Sequence, residues 1–185
     1  RVSRHNGRSG KSGTYSSKHN DRQFDADKAE HINTERMLQN VYWDYQNGLR
    51  THAEQENGNY PTFAEIENRF YTEQYSDFLT GQHERNRKAG HSNRDRSVED
   101  LLQDKRVCPE ETIYQIGTID EHVSKDVLFA IVTEFLAEFE RRFGTHVHIL
   151  DFALHCDEGT PHIQERHVFD CENQYGELCP QQEKA

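Results

Sequence analysis

Thirteen residues near the carboxyl end, HCDEGTPHIQERH, combine three histidines with an acidic pair and a Gly-Thr-Pro turn. If the turn joins two antiparallel strands, His155 and His162 share one face of the hairpin, because alternate residues of a strand point to the same side. Glu158 can reach this face from the turn, and Gln164 shares it with His162. Two imidazoles, a carboxylate and an amide oxygen would then surround one point.

Nitrogen and oxygen ligands without a thiolate suit Mn²⁺ or Mg²⁺, and zinc also fits such a set. The alternative is a hairpin whose histidines decorate a polar face, since 12 histidines in the chain allow chance clustering. Strict alternation also sends Glu165 and His167 toward the other face, where a β-bulge or a buried polar pair would be required. We favour the metal site.

A divalent cation on an open sheet face can polarise a phosphodiester and stabilise charge on its oxygens. Such chemistry needs a nucleophile. The segment KHNDR offers His19, with Arg22 nearby to balance phosphate charge, and Tyr15 and Tyr42 are rival hydroxyl nucleophiles. These residue types point to metal-assisted phosphoryl transfer.

The charge distribution indicates which class of partner the chain could bind. The net charge of −11 argues at first against nucleic acid, but residues 1–28 hold seven basic and three acidic side chains, whereas the remainder holds 15 and 30. A basic amino-terminal arm on an acidic body is compatible with local phosphate contacts, and a solvated tail is the alternative. The candidate DNA-binding residues in this arm are Arg4, Arg8, Lys11 and Lys18.

A second polar segment contains several cations between Arg85 and Arg96. It is either the solvated surface of a helix or a second basic contact surface. The segment GRSGKS suggests a phosphate-binding loop, but that motif requires a glycine five positions before Gly10, where this chain has His5. We therefore reject a phosphate-binding loop.

Length and composition predict one domain over residues 1–185 that is large enough to bury a core. No apolar run approaches the roughly 18 residues of a membrane span, and no signal peptide is recognisable. Because the chain starts at Arg1 and ends in CPQQEKA, we expect a longer parent protein. The cysteines form neither a C-x-x-C pair nor a disulfide framework, which predicts reduced thiols in a cytoplasmic protein; they are Cys108, Cys156, Cys171 and Cys179.

Capping residues predict two helices in the sequence before the hairpin. Ser124 predicts the N-cap of a long helix, and Gly144 is expected as its left-handed C-cap. Thr62 and Glu65 predict a capping box at the start of a polar helical insertion over residues 61–106. The long helix carries a broad apolar stripe, formed by Leu128, Ile131, Val132, Phe135, Leu136, Phe139 and Phe143.

Strand signals complete the sheet. Residues 1–28 predict a short strand followed by a loop, and ETIYQIGTID predicts another strand. A short helix from Asn33 or Thr34 should precede a strand through Val41, Tyr42 and Tyr45, which ends at a turn formed by Asn47 and Gly48.

On the outgoing strand of the hairpin we expect Leu150, Phe152 and Leu154 to face the long helix, and Asp151 and His155 to face away. The predicted fold class is α+β, with an antiparallel sheet, helices packed on one face and the metal site on the open face.

Three ordered motifs resemble one family. HCDEGTPHIQ resembles the metal motif of the HUH endonucleases, and more closely the H-x-D-E-x-T-P-H-x-H signature of MobV-type (Mob/Pre) plasmid mobilisation relaxases. KHNDR is similar to their H-N-x-R motif, and HINTERMLQNVYW resembles the following I-D-x-x-R-x-x-x-N segment. The resemblance covers nearly the whole chain and is weakest over residues 50–110.

The resemblance implies a site- and strand-specific endonuclease and strand transferase. Such relaxases nick DNA at a single-stranded or hairpin origin of transfer, keep a covalent bond to the 5′ phosphate and leave a free 3′ hydroxyl, so that plasmids or integrative elements can be mobilised. It implies that His19 is the nucleophile and forms a phosphoramidate, and that Arg22 contacts the phosphate. It also implies that His155, Glu158 and His162 bind Mn²⁺ or Mg²⁺.

One departure from the family's pattern concerns the last metal ligand. The last ligand of the family is usually His, where this chain has Gln164; some HUH relatives also have Gln, whose carbonyl oxygen can bind a cation more weakly than imidazole binds transition metals. The site is then either tuned to harder ions or weakened. A second motif, HNGR from His5 to Arg8, mimics the nucleophile motif, but we assign it to the first strand and rank His5 below His19.

Three hypotheses remain open from the sequence. The first is a metal-dependent DNA strand transferase. The second is an origin-binding module with weak or no nicking, because of Gln164. The third is an interaction domain whose histidines bind no metal.

Overall fold

The computed structural model describes residues 2–8, 16–25, 28–30 and 32–181. The described strands are β1 (Val2–Arg8), β2 (Val41–Asp44), β3 (Gly48–Thr51), β4 (Glu110–Ile116), β5 (Val147–His155), β6 (His162–Glu172) and β7 (Leu178–Pro180). The described α-helices are α1 (Ser17–Asn20), α2 (His52–Asn57), α3 (Phe63–Gln74), α4 (Ser76–Ala89), α5 (Val98–Gln103) and α6 (Lys125–Phe143). Short 3₁₀ helices span Thr34–Gln39 and Ser92–Arg94.

The strands form one antiparallel sheet in the order β1-β4-β6-β5-β2-β3, and β7 pairs with β6. The hairpin of β5 and β6 lies at its centre, and both strands are buried over most of their length. The predicted α+β class with an antiparallel sheet is therefore confirmed. The central position matters for function, because the histidine-rich turn is held by the most constrained part of the sheet.

Helix α6 covers one face of the sheet. Ser124 caps it as predicted, accepting a hydrogen bond from the amide of Val127. Three of the predicted stripe residues form the core with Phe152, Leu154 and Ile163; they are Leu128, Val132 and Leu136.

The apolar stripe of α6 is only partly buried. Ile131, Phe135 and Phe143 are 49, 45 and 51 % exposed, so they do not belong to the core. The left-handed C-cap predicted at Gly144 is wrong. Its φ is −64°, in the right-handed region, and its amide donates to Glu140 O at 2.7 Å in the ordinary helical pattern.

The insertion covers part of the opposite face, which the sequence predicts to be open. Helices α3, α4 and α5 lie within residues 61–106, and α3 begins at the capping box predicted from Thr62 and Glu65. Phe63 of α3 packs against Tyr42 and Ala153 of the sheet. Helix α3 therefore covers part of the face that carries the candidate site.

A β-bulge changes the faces of β5. The register with β6 shifts between Ile149 and Asp151, so one residue is added on β5 and alternation is interrupted. As a result Leu150 packs on the insertion side with Tyr71 and Val168. The prediction that Leu150 faces the long helix is wrong, whereas Phe152 and Leu154 do lie in the core beneath α6.

Glu165 and His167 form a buried polar pair, which is one of the two arrangements that the sequence allows for these residues. The Nδ1 of His167 lies 3.0 Å from Oε1 of Glu165, and both side chains are 1 % exposed. Phe139 of α6 contacts the ring of His167 edge-on. The two polar residues therefore face the helix layer in direct contact with each other.

Buried charges join the insertion to the sheet. The guanidinium of Arg166 on β6 bonds to Glu67 of α3 and lies 3.3 Å from Glu111 of β4. Its cross-strand neighbour Asp151 is also fully buried. Burial and the nearby Glu67 raise the pKa of Asp151 well above its usual value, and Arg166 acts in the opposite direction.

Among the described residues no helix combines the length and apolarity that crossing a membrane would require.

Asp21 links the amino-terminal segment to the insertion. Its Oδ2 accepts a hydrogen bond from the amide of Phe63 at 2.8 Å, at the first turn of α3. Burial raises the pKa of Asp21 from 3.8 to about 6, although the amides of Phe63 and Gln23 lower it, and Glu67 raises it further. Because the folded-state pKa is the higher one, ionising this carboxyl destabilises the fold as pH rises from about 4 to 6.

Asp21→Asn removes this cost and keeps an oxygen for Phe63. We expect the variant to be more stable than the wild type by about 1–3 kcal/mol above pH 6, with the gain shrinking as pH falls to about 4. Urea unfolding at both pH values measures it. Asp120→Asn, at an exposed site, controls for the loss of one negative charge. A gain that is equal at both pH values would contradict the account.

Candidate metal and phosphoryl-transfer site

The hairpin brings two of the predicted ligands together. His155, the last residue of β5, lies directly opposite His162, the first residue of β6. Their ring centroids are 5.3 Å apart, and both residues are buried. The turn between them contains Asp157 and Glu158, so the chain between the two histidines also supplies the carboxylates.

Backbone carbonyls set which ring nitrogen of each histidine is available. The Nε2–H of His155 donates to Asn20 O at 2.9 Å, and the Nδ1–H of His162 donates to Thr160 O at 2.9 Å. A carbonyl only accepts, so the other nitrogen of each ring keeps its lone pair. Metal-binding histidines are usually held in this way.

Nδ1 of His155 and Nε2 of His162 are the ring nitrogens left for a cation. Nδ1 of His155 is buried and has no hydrogen-bond partner within the described ranges, and Nε2 of His162 lies 3.8 Å from Oε2 of Glu158. One atom each from His19, His155 and Glu158 lie within 4.8 Å of one another. The candidate nucleophile and two candidate ligands therefore share one site.

Gln164 is the fourth predicted ligand. It shares the face of His162 on β6, and its amide nitrogen donates to Glu111 Oε1 at 3.5 Å. Its amide oxygen is buried without a hydrogen-bond partner in the described part of the chain. Two orphaned acceptor atoms, on His155 and Gln164, together with the Glu158 carboxylate, fit a divalent cation with nitrogen and oxygen ligands.

The site's electrostatics favour ligand-ready protonation states. Burial lowers the pKa of His155 well below its usual value, and the charges of Arg22 and His162 lower it further. Burial raises the pKa of Glu158, but its contacts with His19, His162 and Arg22 outweigh this and lower it strongly. A neutral imidazole and an ionised carboxylate are the forms that bind metal.

Arg22 fastens the amino-terminal segment to the hairpin turn. Its guanidinium donates to both oxygens of Asp157, at 3.0 and 2.6 Å, and to Glu158 at 2.9 Å. Asn40 completes the arrangement: its amide nitrogen donates to Asp157 and its oxygen accepts from the amide of Cys156. Arg22 has a φ of 58°, an unusual value for a non-glycine residue that the contacts of its side chain help to maintain.

Sequence reasoning missed the roles of Asp157 and Asn40. Asp157 lies beside the candidate ligand Glu158, and Asn40 is the last residue of the MLQN segment that resembles a family motif. A buried carboxylate next to a candidate ligand could have been read as a partner for Arg22. The sequence contains no signal for the distance between them.

His19 lies at the surface side of this cluster. Its Nε2 is 3.2 Å from Oε1 of Glu158 and 3.2 Å from a guanidinium nitrogen of Arg22, and its ring stacks on Phe24. The His19 side chain is 35 % exposed, more than the other members of the cluster that we describe. It is therefore the group that an incoming substrate can reach.

The rival nucleophiles are less favoured or fall outside the described residues. Tyr42 is completely buried, its hydroxyl lies 3.2 Å from Nδ1 of His52, and burial raises its pKa to about 12. Tyr15 lies outside the described residues. His5 is in β1, the strand to which we had assigned it.

The candidate DNA-binding residues are only partly described. The backbones of Arg4 and Arg8 belong to the edge strand β1, and Lys11 lies outside the described residues. Lys18 is exposed on α1, directly before His19. These positions remain a prediction.

Two cations of the second polar segment are neutralised by neighbouring carboxylates. Arg85 pairs with Glu177 at 2.5 and 2.7 Å, and Arg96 pairs with Asp104 at 3.1 Å. These contacts favour a solvated helical surface over a second phosphate-binding surface.

The overall arrangement of this chain matches a solved structure. The MobM relaxase domain (MOBV; Mob_Pre), a manganese-bound crystal structure with oriT DNA of plasmid pMV158, aligns over 96 % of this chain and 73 % of that chain, with a TM-score of 0.56 and 17 % identity. This chain has the fold of the MobM relaxase domain. No protein-family model matches the sequence, and no curated protein matches it significantly.

The match shows the fold of this chain and does not show the role of any side chain. At 17 % identity the alignment carries the arrangement of strands and helices rather than individual side chains. The roles assigned to His19, His155 and their neighbours therefore depend on the contacts in this chain.

Asp157→Ala tests whether the pair with Arg22 organises the site. The guanidinium would stay buried with one of its two carboxylates missing, so we expect the free energy of unfolding to fall by up to about 3–5 kcal/mol. Urea unfolding measures the decrease. Glu138→Ala removes a carboxylate that pairs with Arg141 on the surface and should leave stability nearly unchanged. Equal effects of the two substitutions would contradict a special role for Asp157.

Proposed function

We propose that this chain is a relaxase domain that nicks one DNA strand at an origin of transfer and becomes covalently linked to the 5′ phosphate. The observation that carries the proposal is the convergence of His19 with His155 and Glu158, because it joins a nucleophile from one end of the chain to a cation site at the other. The fold supports it, since MobM was crystallised with oriT DNA and manganese.

The cation site would be formed by His155, Glu158, His162 and Gln164, with Mn²⁺ or Mg²⁺ as the expected ion. When bound there, the ion would polarise the phosphodiester and stabilise negative charge on its oxygens. The chain contributes the pre-arranged ligands, because the carbonyls of Asn20 and Thr160 already fix the two imidazoles.

His19 would attack phosphorus with the lone pair of a ring nitrogen. A nitrogen–phosphorus bond forms, and the bond from phosphorus to the 3′ oxygen breaks. That oxygen leaves with the bonding electrons and takes up a proton, which balances the proton released by the phosphorylated imidazole. Glu158 and Arg22, both 3.2 Å from Nε2 of His19, would orient the ring and balance the charge that develops around it.

Gln164 favours a second candidate function. A neutral amide is a weaker ligand than imidazole for transition metals, so the domain can bind an origin without nicking it efficiently. In both cases the partner is single-stranded or hairpin origin DNA, and the role is mobilisation of plasmids or integrative elements. We further propose one catalytic domain over residues 1–185 that acts in the cytoplasm.

A nicking assay separates the two functions. Supercoiled plasmid carrying the origin of the element that encodes the chain is incubated with Mn²⁺ or with a chelator. Relaxed DNA with covalently attached protein, formed only with the metal, supports the enzyme. Retarded DNA without nicking supports the binding module. Calorimetric titration with Mn²⁺ tests the third hypothesis, because a chain that binds no metal would leave the histidine cluster without this role.

His19→Phe should abolish the covalent adduct and leave origin binding intact, because it replaces the imidazole with an aromatic ring that has no nucleophilic nitrogen. Tyr42→Phe is the matched control: it removes a buried hydroxyl close to the site and should nick at the wild-type rate. Denaturing gels of the reaction with radiolabelled origin DNA measure the adduct. An adduct that survives in His19→Phe and disappears in Tyr42→Phe would show that Tyr42 is the nucleophile.

Binding of origin DNA should weaken with salt, because each phosphate contact on a single strand contributes about 0.7 to the slope of log K against log salt concentration. Replacing Arg4 and Arg8 by Ala should reduce that slope by about this amount for each arginine that touches a phosphate. Arg85→Ala should not change it, since Arg85 is paired with Glu177. Fluorescence anisotropy at several salt concentrations provides the slopes, and an unchanged slope in the double variant would exclude Arg4 and Arg8 from the interface.

A further inference from the structure

Glu111 on β4 accepts hydrogen bonds from two residues of the candidate site. Its Oε2 accepts from the amide nitrogen of Asn20 at 2.9 Å, and its Oε1 accepts from the amide nitrogen of Gln164 at 3.5 Å. Glu111 is 1 % exposed, so these contacts are shielded from water. One donor follows His19 in the chain, and the other is a candidate metal ligand.

The contact with Glu111 decides which atom Gln164 can offer to a cation. An amide nitrogen only donates and an amide oxygen only accepts, so the carboxylate attracts the nitrogen end. The oxygen is then left for another partner, and it is buried with no hydrogen bond to any described residue. Reversing the amide would place its oxygen against the carboxylate, which is unfavourable. Oxygen is the ligand atom that Mg²⁺ and Mn²⁺ prefer.

The contact with Asn20 fixes the helix that carries His19. Helix α1 has only four residues and no side-chain cap, so its position depends on what its ends contact. The side chain of Asn20 is held by Glu111, and its carbonyl accepts from Nε2 of His155. Glu111 therefore contacts both Asn20, which follows His19 in the chain, and the candidate ligand Gln164.

Arg166 holds the carboxylate in place. Its guanidinium lies 3.3 Å from Oε2 of Glu111 and also bonds to Glu67 of α3. Burial raises the pKa of Glu111, while Arg166 and Asn20 lower it by stabilising the carboxylate. A buried carboxylate is strongly unfavourable unless it is paired, so Arg166 allows Glu111 to lie beneath the site.

We propose that Glu111 is a positioning residue of the nicking site, which presents the Gln164 oxygen to the cation and holds α1 so that His19 faces it. This inference rests on the proposed function, because it assumes a cation bound by His155, Glu158, His162 and Gln164.

Glu111→Gln tests the proposal with almost no change in shape. A carboxylate accepts at both oxygens and an amide at only one. Because Asn20 and Arg166 both donate to Oε2, the amide oxygen of the variant stays at that position and Gln164 loses its acceptor. We expect the Kd for Mn²⁺, measured by calorimetry on the full chain, to rise about 10–100-fold. We also expect the single-turnover nicking rate to fall at saturating DNA, with DNA affinity unchanged.

Two further variants separate the contacts. Gln164→Ala should raise the Kd for Mn²⁺, and adding Glu111→Gln to it should raise the Kd no further, because Glu111 acts on the cation through Gln164. Asn20→Ala should lower the nicking rate and leave the Kd for Mn²⁺ unchanged, since its carbonyl still accepts from His155. Additive effects on the Kd in the double variant would mean that Glu111 acts through the fold in general, and would overturn the proposal.

The outcomes also distinguish this inference from the proposed function. A wild-type chain that binds Mn²⁺ and nicks, with a Glu111→Gln variant equal to it in both respects, overturns the inference alone. A wild-type chain that neither binds Mn²⁺ nor nicks overturns both. Circular dichroism verifies the fold of each variant. If Glu111→Gln does not fold, the single variants decide: an unchanged Kd in Gln164→Ala, or an unchanged nicking rate in Asn20→Ala, overturns the proposal.

Discussion

The ion pair between Arg22 and Asp157 is the interaction on which the site depends. It joins the segment after α1 to the turn of the central hairpin, and both side chains are almost fully buried. Two charges withdrawn from water are stable only when their geometry is good and their remaining hydrogen-bonding groups are satisfied. Asn40 and Glu158 meet that requirement, so the pair holds His19 beside the hairpin histidines.

A second set of buried charges contacts the same amino-terminal segment through Asn20 and Asp21. Arg166 lies between Glu67 of the insertion and Glu111 of the sheet, and Asp21 accepts from the first turn of α3. The polar insertion therefore has a structural part in the site. It supplies Glu67, which pairs with Arg166, and the amide of Phe63, which donates to Asp21 in the segment after His19.

The α6 side of the sheet is organised differently, by apolar packing with one polar pair. Leu128, Val132 and Leu136 contact the sheet, and the bulge in β5 removes Leu150 from that side. Because of the bulge, Leu150 fills the space under the insertion while Phe152 and Leu154 remain under α6. The side under α6 is thus mainly apolar, whereas the side under the insertion combines a second apolar cluster with the buried charges near the candidate site.

Much of the local structure could be predicted from the sequence. The caps at Ser124 and Thr62, the hairpin around the Gly-Thr-Pro turn and the facing of His155 and His162 follow from short-range rules of geometry and hydrogen bonding. Long-range contacts could not be predicted. The bulge at Leu150, the Arg22–Asp157 pair and the Asn20–Glu111 bond join residues that are distant in the chain or depend on register. The sequence alone determined which groups could bind a cation and attack phosphorus. Only the tertiary structure decided that they meet, because their distance is set by buried ion pairs and strand register rather than by spacing along the chain.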